Sequence, residues 1–108
     1  MNYSFYQVDV FTNTPFSGNP LAVFFDDEEQ LSSLAMLSIA KEMNLSETTF
    51  VLPPGDMPAD FSVKIFTPEK EIPFAGHPTI GTAHILRETG RVISGNHSIK
   101  LSMKAGII

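Results

Sequence analysis

The stretch Phe74-Ala75-Gly76-His77-Pro78-Thr79-Ile80-Gly81-Thr82-Ala83-His84 reads as a tight turn running into a helix. Pro78 suits the first helical turn, where its missing N–H would have no intrahelical partner. Gly76 has no side chain, so a ligand can approach the backbone closely there. The N–H groups that begin a helix, together with the positive end of its dipole, bind anions and carboxylates especially. Gly81 and Ala83 are small, which suits a helix packed tightly inside a sheet. Ile80, Ala83, His84, Leu86 and Arg87 are expected to carry this helix, and Gly90 to stop it. Taken alone the turn is weak support for a ligand, because many helices begin with Pro and bind nothing.

Working outward, Phe61, Val63 and Ile65 alternate with Ser62 and Lys64, the period of a strand. Glu47 to Leu52 reads as another strand, closed by Pro53-Pro54-Gly55. Before it, Leu31, Leu34, Ala35, Ser38 and Ile39 follow helical spacing, Ala40 and Met43 widen the stripe, and the helix should end near Asn44. The acidic run Asp26 to Glu29 is expected at that helix's N-terminus, where negative charge is favoured. Leu21 to Phe25 is wholly apolar and reads as a buried strand. Tyr6, Val8 and Val10 alternate with Gln7 and Asp9, and the turn formers of Asn13 to Pro20 separate the two strands. Downstream, Ile99, Leu101 and Met103 alternate with Lys100, Ser102 and Lys104. Strands and helices mix without strict alternation, so α+β is the expected class. The apolar pair Ile107-Ile108 would leave a sheet edge open, so truncation, or cover from another chain, is expected.

The chain has 108 residues, enough for one domain, with 43% hydrophobic and 18% charged residues. That balance favours a packed core over disorder. Net charge is −5 and no Lys/Arg cluster occurs, which disfavours nucleic acid and anionic membrane surfaces as partners. No apolar run approaches the ~18 residues of a membrane span. The start MNYSFYQVDVF lacks the pattern of a signal peptide, so a cytoplasmic location is expected. There is no cysteine, which removes disulfides, thiolate catalysis and zinc–sulfur sites. His77, His84 and His97 lie 7 and 13 residues apart, unlike the i, i+4 pair of a helical zinc site, and no metal is expected. No serine elbow, phosphate loop or dinucleotide glycine fingerprint is present.

Two further segments bear polar groups of interest. In Asn44-Leu45-Ser46-Glu47-Thr48-Thr49-Phe50-Val51 a carboxylate stands at a helix-to-strand turn, followed by apolar residues. Partial desolvation raises a carboxylate's pKa and lets it take and return a proton near neutral pH. A solvated turn Glu is the commoner case, and composition alone favours it. In Phe16-Ser17-Gly18-Asn19-Pro20-Leu21-Ala22-Val23, Asn19 either hydrogen-bonds a substrate or closes an Asx turn, the second being the commoner role.

Together, VDVFTNTPFSGNPLAV, NLSETTFV and KIFTPEKEIPFAGHPTIGTAHIL stand in the order and spacing of the phenazine-biosynthesis F-type isomerase family, which this chain resembles from Tyr6 to its end. The blocks GNP-x-AV, SET-x-F and FAGHPT-x-G are distinctive in combination. The family is similar in fold to diaminopimelate epimerase and proline racemase, whose paired cysteines this chain lacks.

The resemblance implies a fold of two lobes, each a curled antiparallel sheet around a central helix, with the active site between them. Residues 1–108 would form the N-terminal lobe, short of its last strands. Glu47 matches the family's catalytic Glu and His77 its GHPT histidine. Gly76, Pro78 and Thr79 would bind substrate from the helix start, and Asn19 would face the cleft. The implied activity is a proton shift in a small carboxylate-bearing substrate, such as a dihydro-hydroxyanthranilate, without metal or organic cofactor. The family's second lobe carries a catalytic Asp that has no counterpart here, and Lys64 stands where Arg is common. The cleft is therefore expected to be completed by a second copy in a homodimer, or by a complementing second-lobe chain. The alternatives are a non-catalytic fragment that self-associates and a module that binds a small carboxylate without proton chemistry.

Overall fold

Every residue of Glu47–Leu52 after the first is buried, although the first three residues are polar and only the last three apolar. A strand buried on both faces needs a cover on each side, and the chain supplies one helix for each. The computed structural model describes residues 5–10, 19–56, 58–73, 76–91, 99–103 and 106–107. Its elements are β1 (Phe5–Val10), β2 (Asn19–Phe25), α1 (Ser33–Met43), β3 (Glu47–Leu52), β4 (Phe61–Phe66), β5 (Glu71–Ile72), α2 (Gly76–Glu88), β6 (Leu101–Met103) and β7 (Gly106–Ile107). Among the described residues they form one seven-stranded sheet in the order β1-β2-β3-β4-β6-β7, with β5 also paired to β4.

The α+β class is as expected, but the sheet is mixed rather than wholly antiparallel. β2 runs parallel to β3, with Leu21 opposite Glu47 and Phe25 opposite Val51, and β4 runs parallel to β6. The described pairs β1–β2, β3–β4, β4–β5 and β6–β7 are antiparallel. A parallel pair needs a long crossover, usually a helix. α1 is the crossover from β2 to β3, and α2 lies between β4 and β6. Side chains alternate across each strand, so the two faces have separate cores. One gathers Leu21, Val23, Val51, Ile65, Leu101 and Met103 around Ile85 and Leu86 of α2. The other gathers Ala22, Phe24, Phe50, Leu52 and Phe66 around Met36 and Ala40 of α1. Because α2 touches β1, β2 and β3 and also reaches Met103 of β6, the sheet wraps around that helix.

Both helices exist where the spacing places them, but each turns a different face inward. In α1 the buried residues are Met36 and Ala40, with Leu37, Ile39 and Met43 partly covered, while Leu34 is 78% exposed. Apolar residues lie on most sides of this helix, so the spacing alone does not select a face. In α2 the inward residues are Pro78, Gly81, Thr82, Ile85 and Leu86, while Ile80 is 55% exposed and His84 and Arg87 face outward. Pro, Gly and Thr are weak hydropathy markers, and their small profile admits the sheet.

The helix ends follow local chemistry. Ser32 caps α1, its Oγ accepting from the Ala35 N–H at 3.1 Å. Asn44 closes it at φ 52°, donating its N–H to the Ala40 carbonyl. The acidic run does not sit in the first turn of α1, which holds no acidic residue. Instead Asp26 is buried and its carboxylate accepts from the Gln30 and Leu31 N–H groups at 2.9 Å each, shaping the loop before the helix. α2 stops at Gly90, where φ is +73°. β5 and β7 are two-residue strands without a readable period. Most of the Asn13 to Pro20 turn, the turn around His97 and the residues Phe74 and Ala75 lie outside the described residues. Among the described residues, no helix is long and apolar enough to cross a membrane.

Candidate functional site

Glu47 opens β3 directly after the αL closure of α1 at Asn44. It is half-buried, and its Oε2 is shielded from solvent. Alternation places Glu47, Thr49 and Val51 on the sheet face that packs α2, and Thr48, Phe50 and Leu52 on the face that packs α1. A buried hydrogen bond of 2.9 Å between Thr49 Oγ1 and Thr82 Oγ1 agrees with that assignment.

This bond also orients the helix along the strand. On its C-terminal side, Ile85 and Leu86 pack in one cluster with Val51. Beyond the helix end, Arg91 lies over the ring of Phe25, the register partner of Val51. From Thr82, then, the helix leaves in the direction of Val51. One turn of helix before Thr82 stand Pro78 and Thr79, and one strand repeat before Thr49 stands Glu47. Glu47 stands two residues from Thr49, at the end of the sheet where β3 begins, and the start of α2 reaches Met103 of β6. Pro78 is fully buried, and the Thr79 hydroxyl approaches Met103 Sδ at 3.8 Å.

Asn19 opens β2 two residues before Leu21, which pairs with Glu47, so its backbone belongs to that end as well. Gly76 and His77 are the first two residues of α2. The side chains of Asn19 and His77 lie outside the described residues. His84, on the outer face of α2, stands apart from this end of the sheet. A separate hollow of about 320 Å³ lies on the α1 side among Leu31, Leu52, Pro53, Pro54 and Lys64, and Glu47 does not line it. Among the described residues, no group of three or more His, Asp or Glu residues could hold a metal ion.

A half-buried carboxylate on the sheet face that packs an inner helix is suited to proton transfer, and a helix start offers unpaired N–H groups to an anion. Sequence reading missed Thr49 and Thr82. Their signal was available in the series Pro78, Gly81, Thr82, Ile85 and Leu86, which has helical spacing once small and hydroxyl residues are counted with the apolar ones.

A family model described as phenazine biosynthesis-like protein matches residues 8–108. The chain belongs to that family. Antisense-enhancing sequence 1 of Schizosaccharomyces pombe is 50% identical over 106 residues, covering 98% of this chain and 36% of that protein. The trans-2,3-dihydro-3-hydroxyanthranilate isomerase of Pseudomonas chlororaphis is 48% identical over 101 residues, covering 94% of this chain and 34% of that enzyme. A crystal structure of a PhzF-family phenazine biosynthesis protein from Enterococcus faecalis superposes with a TM-score of 0.87 at 35% identity, covering 100% of this chain and 39% of that one. The chain therefore spans about a third of the length of the relatives it matches and holds part of their fold. The family includes proteins named as isomerases.

Proposed function

We propose that this chain is one lobe of an isomerase that moves a proton between two carbons of a small carboxylate-bearing substrate, with Glu47 as the proton-carrying group. The observation that carries this reading is the position of Glu47: half-buried, Oε2 shielded, on the α2 face two residues before Thr49, which bonds Thr82 of α2. The name of the Pseudomonas chlororaphis relative supplies the substrate class, a dihydro-hydroxyanthranilate.

In the proposed step a C–H bond breaks and its proton passes to a Glu47 oxygen. The electron pair enters the conjugated system of the substrate. The proton then bonds to a second carbon, and Glu47 returns to its starting carboxylate. The conjugated substrate acts as its own electron sink, so the step calls on no organic cofactor. The amides of Gly76, Pro78's neighbours and Thr79 would hold the substrate carboxylate, His77 would hold a second polar group, and Asn19 would line the same cleft. A further lobe, from a second copy of this chain or from a complementing chain, would close the cleft and exclude water.

The test is deuterium incorporation into trans-2,3-dihydro-3-hydroxyanthranilate in D2O, followed by mass spectrometry, with this chain alone and with a second-lobe chain added. Removal of a positioned general acid–base group typically costs on the order of 10²- to 10⁴-fold, and Glu47→Gln is expected to lose that much. Equal incorporation by both proteins, or none by the unaltered chain under either condition, overturns the reading.

A further inference from the structure

Thr49 and Thr82 are both fully buried, and their hydroxyls meet at 2.9 Å inside the apolar core of the α2 face. Glu47 lies on the same face, two residues before Thr49.

Burying two hydroxyls is not how a core gains stability. Replacing both partners of a buried hydrogen bond with apolar groups of the same shape is commonly neutral or better. A hydrogen bond differs from apolar packing in being directional, with a narrow range of length and angle. Apolar contacts between a helix and a strand tolerate sliding and rotation. A hydroxyl pair admits one register of the helix along the strand, and a satisfied buried polar pair specifies a unique arrangement of its core.

We propose that Thr49 and Thr82 are positioning residues that hold α2 on β3 two residues from the Glu47 carboxylate. The proposal rests on the reading of Glu47 as the proton-carrying group, and it adds two residues that touch neither substrate nor proton. Their effect reaches Glu47 through one strand repeat on β3. A displacement of about 1 Å at a reacting group can cost on the order of 100-fold in rate. Loss of the bond therefore reads out as rate, while the binding groups on the helix start keep their own geometry.

The experiment compares Thr82→Val, Thr49→Val and Thr82→Ser in this chain, with the second-lobe chain present where activity requires it. The first readout is the kinetics of deuterium incorporation into trans-2,3-dihydro-3-hydroxyanthranilate. Each Val variant is expected to lower kcat about 10- to 100-fold with KM unchanged, and Thr82→Ser, which keeps the hydroxyl, to restore it. The second readout needs no turnover: the carboxyl carbon resonance of ¹³C-labelled Glu47, assigned with Glu47→Gln, is expected to move in Thr82→Val and to return in Thr82→Ser. A Glu47 resonance and a kcat that are the same in Thr82→Val as in the unaltered chain overturn the proposal. So does a loss that Thr82→Ser fails to restore, since that loss belongs to packing. If Glu47→Gln leaves exchange intact, the reading of Glu47 falls instead, and the resonance still decides whether the threonine pair holds that carboxylate in place.

Discussion

The guanidinium of Arg91 lies 3.8 Å from the centre of the Phe25 ring, just past the end of α2. The backbone brings it there. Gly90 turns at φ +73°, its N–H donates to the Arg87 carbonyl, and the Arg91 N–H donates to the Leu86 carbonyl at 3.0 Å, the paired bonds of a Schellman closure. The helix end thereby folds back onto β2, and Arg91 also meets Asp27 at 2.8 Å.

The two contacts of Arg91 differ in kind. Asp27 is 61% exposed, so the ion pair is screened and contributes at most roughly 0.2 to 1 kcal/mol. The ring contact also covers Phe25, which is buried, and contributes about 0.5 to 1 kcal/mol with the packing of the side chain added. Asp27→Asn is expected to cost little in urea denaturation, and its cost to vanish at high salt. Arg91→Ala is expected to cost more and to keep most of that cost in salt. Equal losses from the two variants at high salt would show the ion pair to be the stronger contact.

Gly90 isolates a backbone effect. A methyl group added at its Cα would meet nothing within 4 Å, so crowding plays no part. The positive φ alone disfavours an L side chain, by about 1 to 2 kcal/mol. Gly90→Ala should lower stability by that amount, and Gly90→Asn by less, because Asn tolerates this conformation. Thermal unfolding of the three proteins measures it; an Ala variant as stable as the original would mean the closure relaxes out of the left-handed region.

The aromatic stack on the α1 face sets the largest single-residue cost. Phe50 is fully buried, stacked on Phe24 with centroids 5.4 Å apart and edge-on to Phe66 at 5.6 Å. Phe50→Ala is expected to cost about 3 to 5 kcal/mol. On the helix above, Met36→Ala should cost about 2 to 5 kcal/mol, while Leu34→Ala should stay within about 0.5 kcal/mol because Leu34 is exposed. Denaturant midpoints for the pair test which face of α1 is inward, and a larger loss at Leu34 would reverse the assignment.

That face was the part of the fold least legible in the sequence. The strands β2, β3 and β4 could be read directly, because Leu21–Phe25 is a short apolar run, and Glu47–Leu52 is rich in β-formers and closed by Pro53-Pro54-Gly55. The helix ends at Asn44 and Gly90 were legible too, since only a few residues accept a left-handed closure. The inward faces were not. α1 offers two overlapping apolar series, and α2 buries Pro78, Gly81 and Thr82, which a hydrophobic count passes over. The parallel pairings were also hidden, because strand direction depends on which crossover a helix makes and not on the composition of either strand. Glu47 was legible as a carboxylate at a helix-to-strand turn. Its shielding arises only in the folded chain and so could not be read locally.

Neighbouring threonines on β3 provide the sharpest contrast. Thr49 Oγ1 is bonded to Thr82, whereas Thr48 Oγ1 is buried on the α1 face without a hydrogen-bond partner among the described residues. A buried hydroxyl with no partner carries its full desolvation cost, about 1 to 3 kcal/mol. Thr48→Val keeps the β-branched shape that suits a strand and removes that hydroxyl. It should leave stability unchanged or raise it. Thr49→Val removes one half of a bonded pair, strands the Thr82 hydroxyl in the core, and should lower stability by about 1 to 3 kcal/mol. Urea denaturation of the two single variants, checked for equal slopes, gives the comparison. The signs are expected to be opposite or, at the least, Thr48→Val to be the harmless one. A clear loss from Thr48→Val would mean that its hydroxyl is bonded in solution, and a harmless Thr49→Val would mean that the Thr82 hydroxyl finds another acceptor, most simply the carbonyl one turn earlier in its own helix.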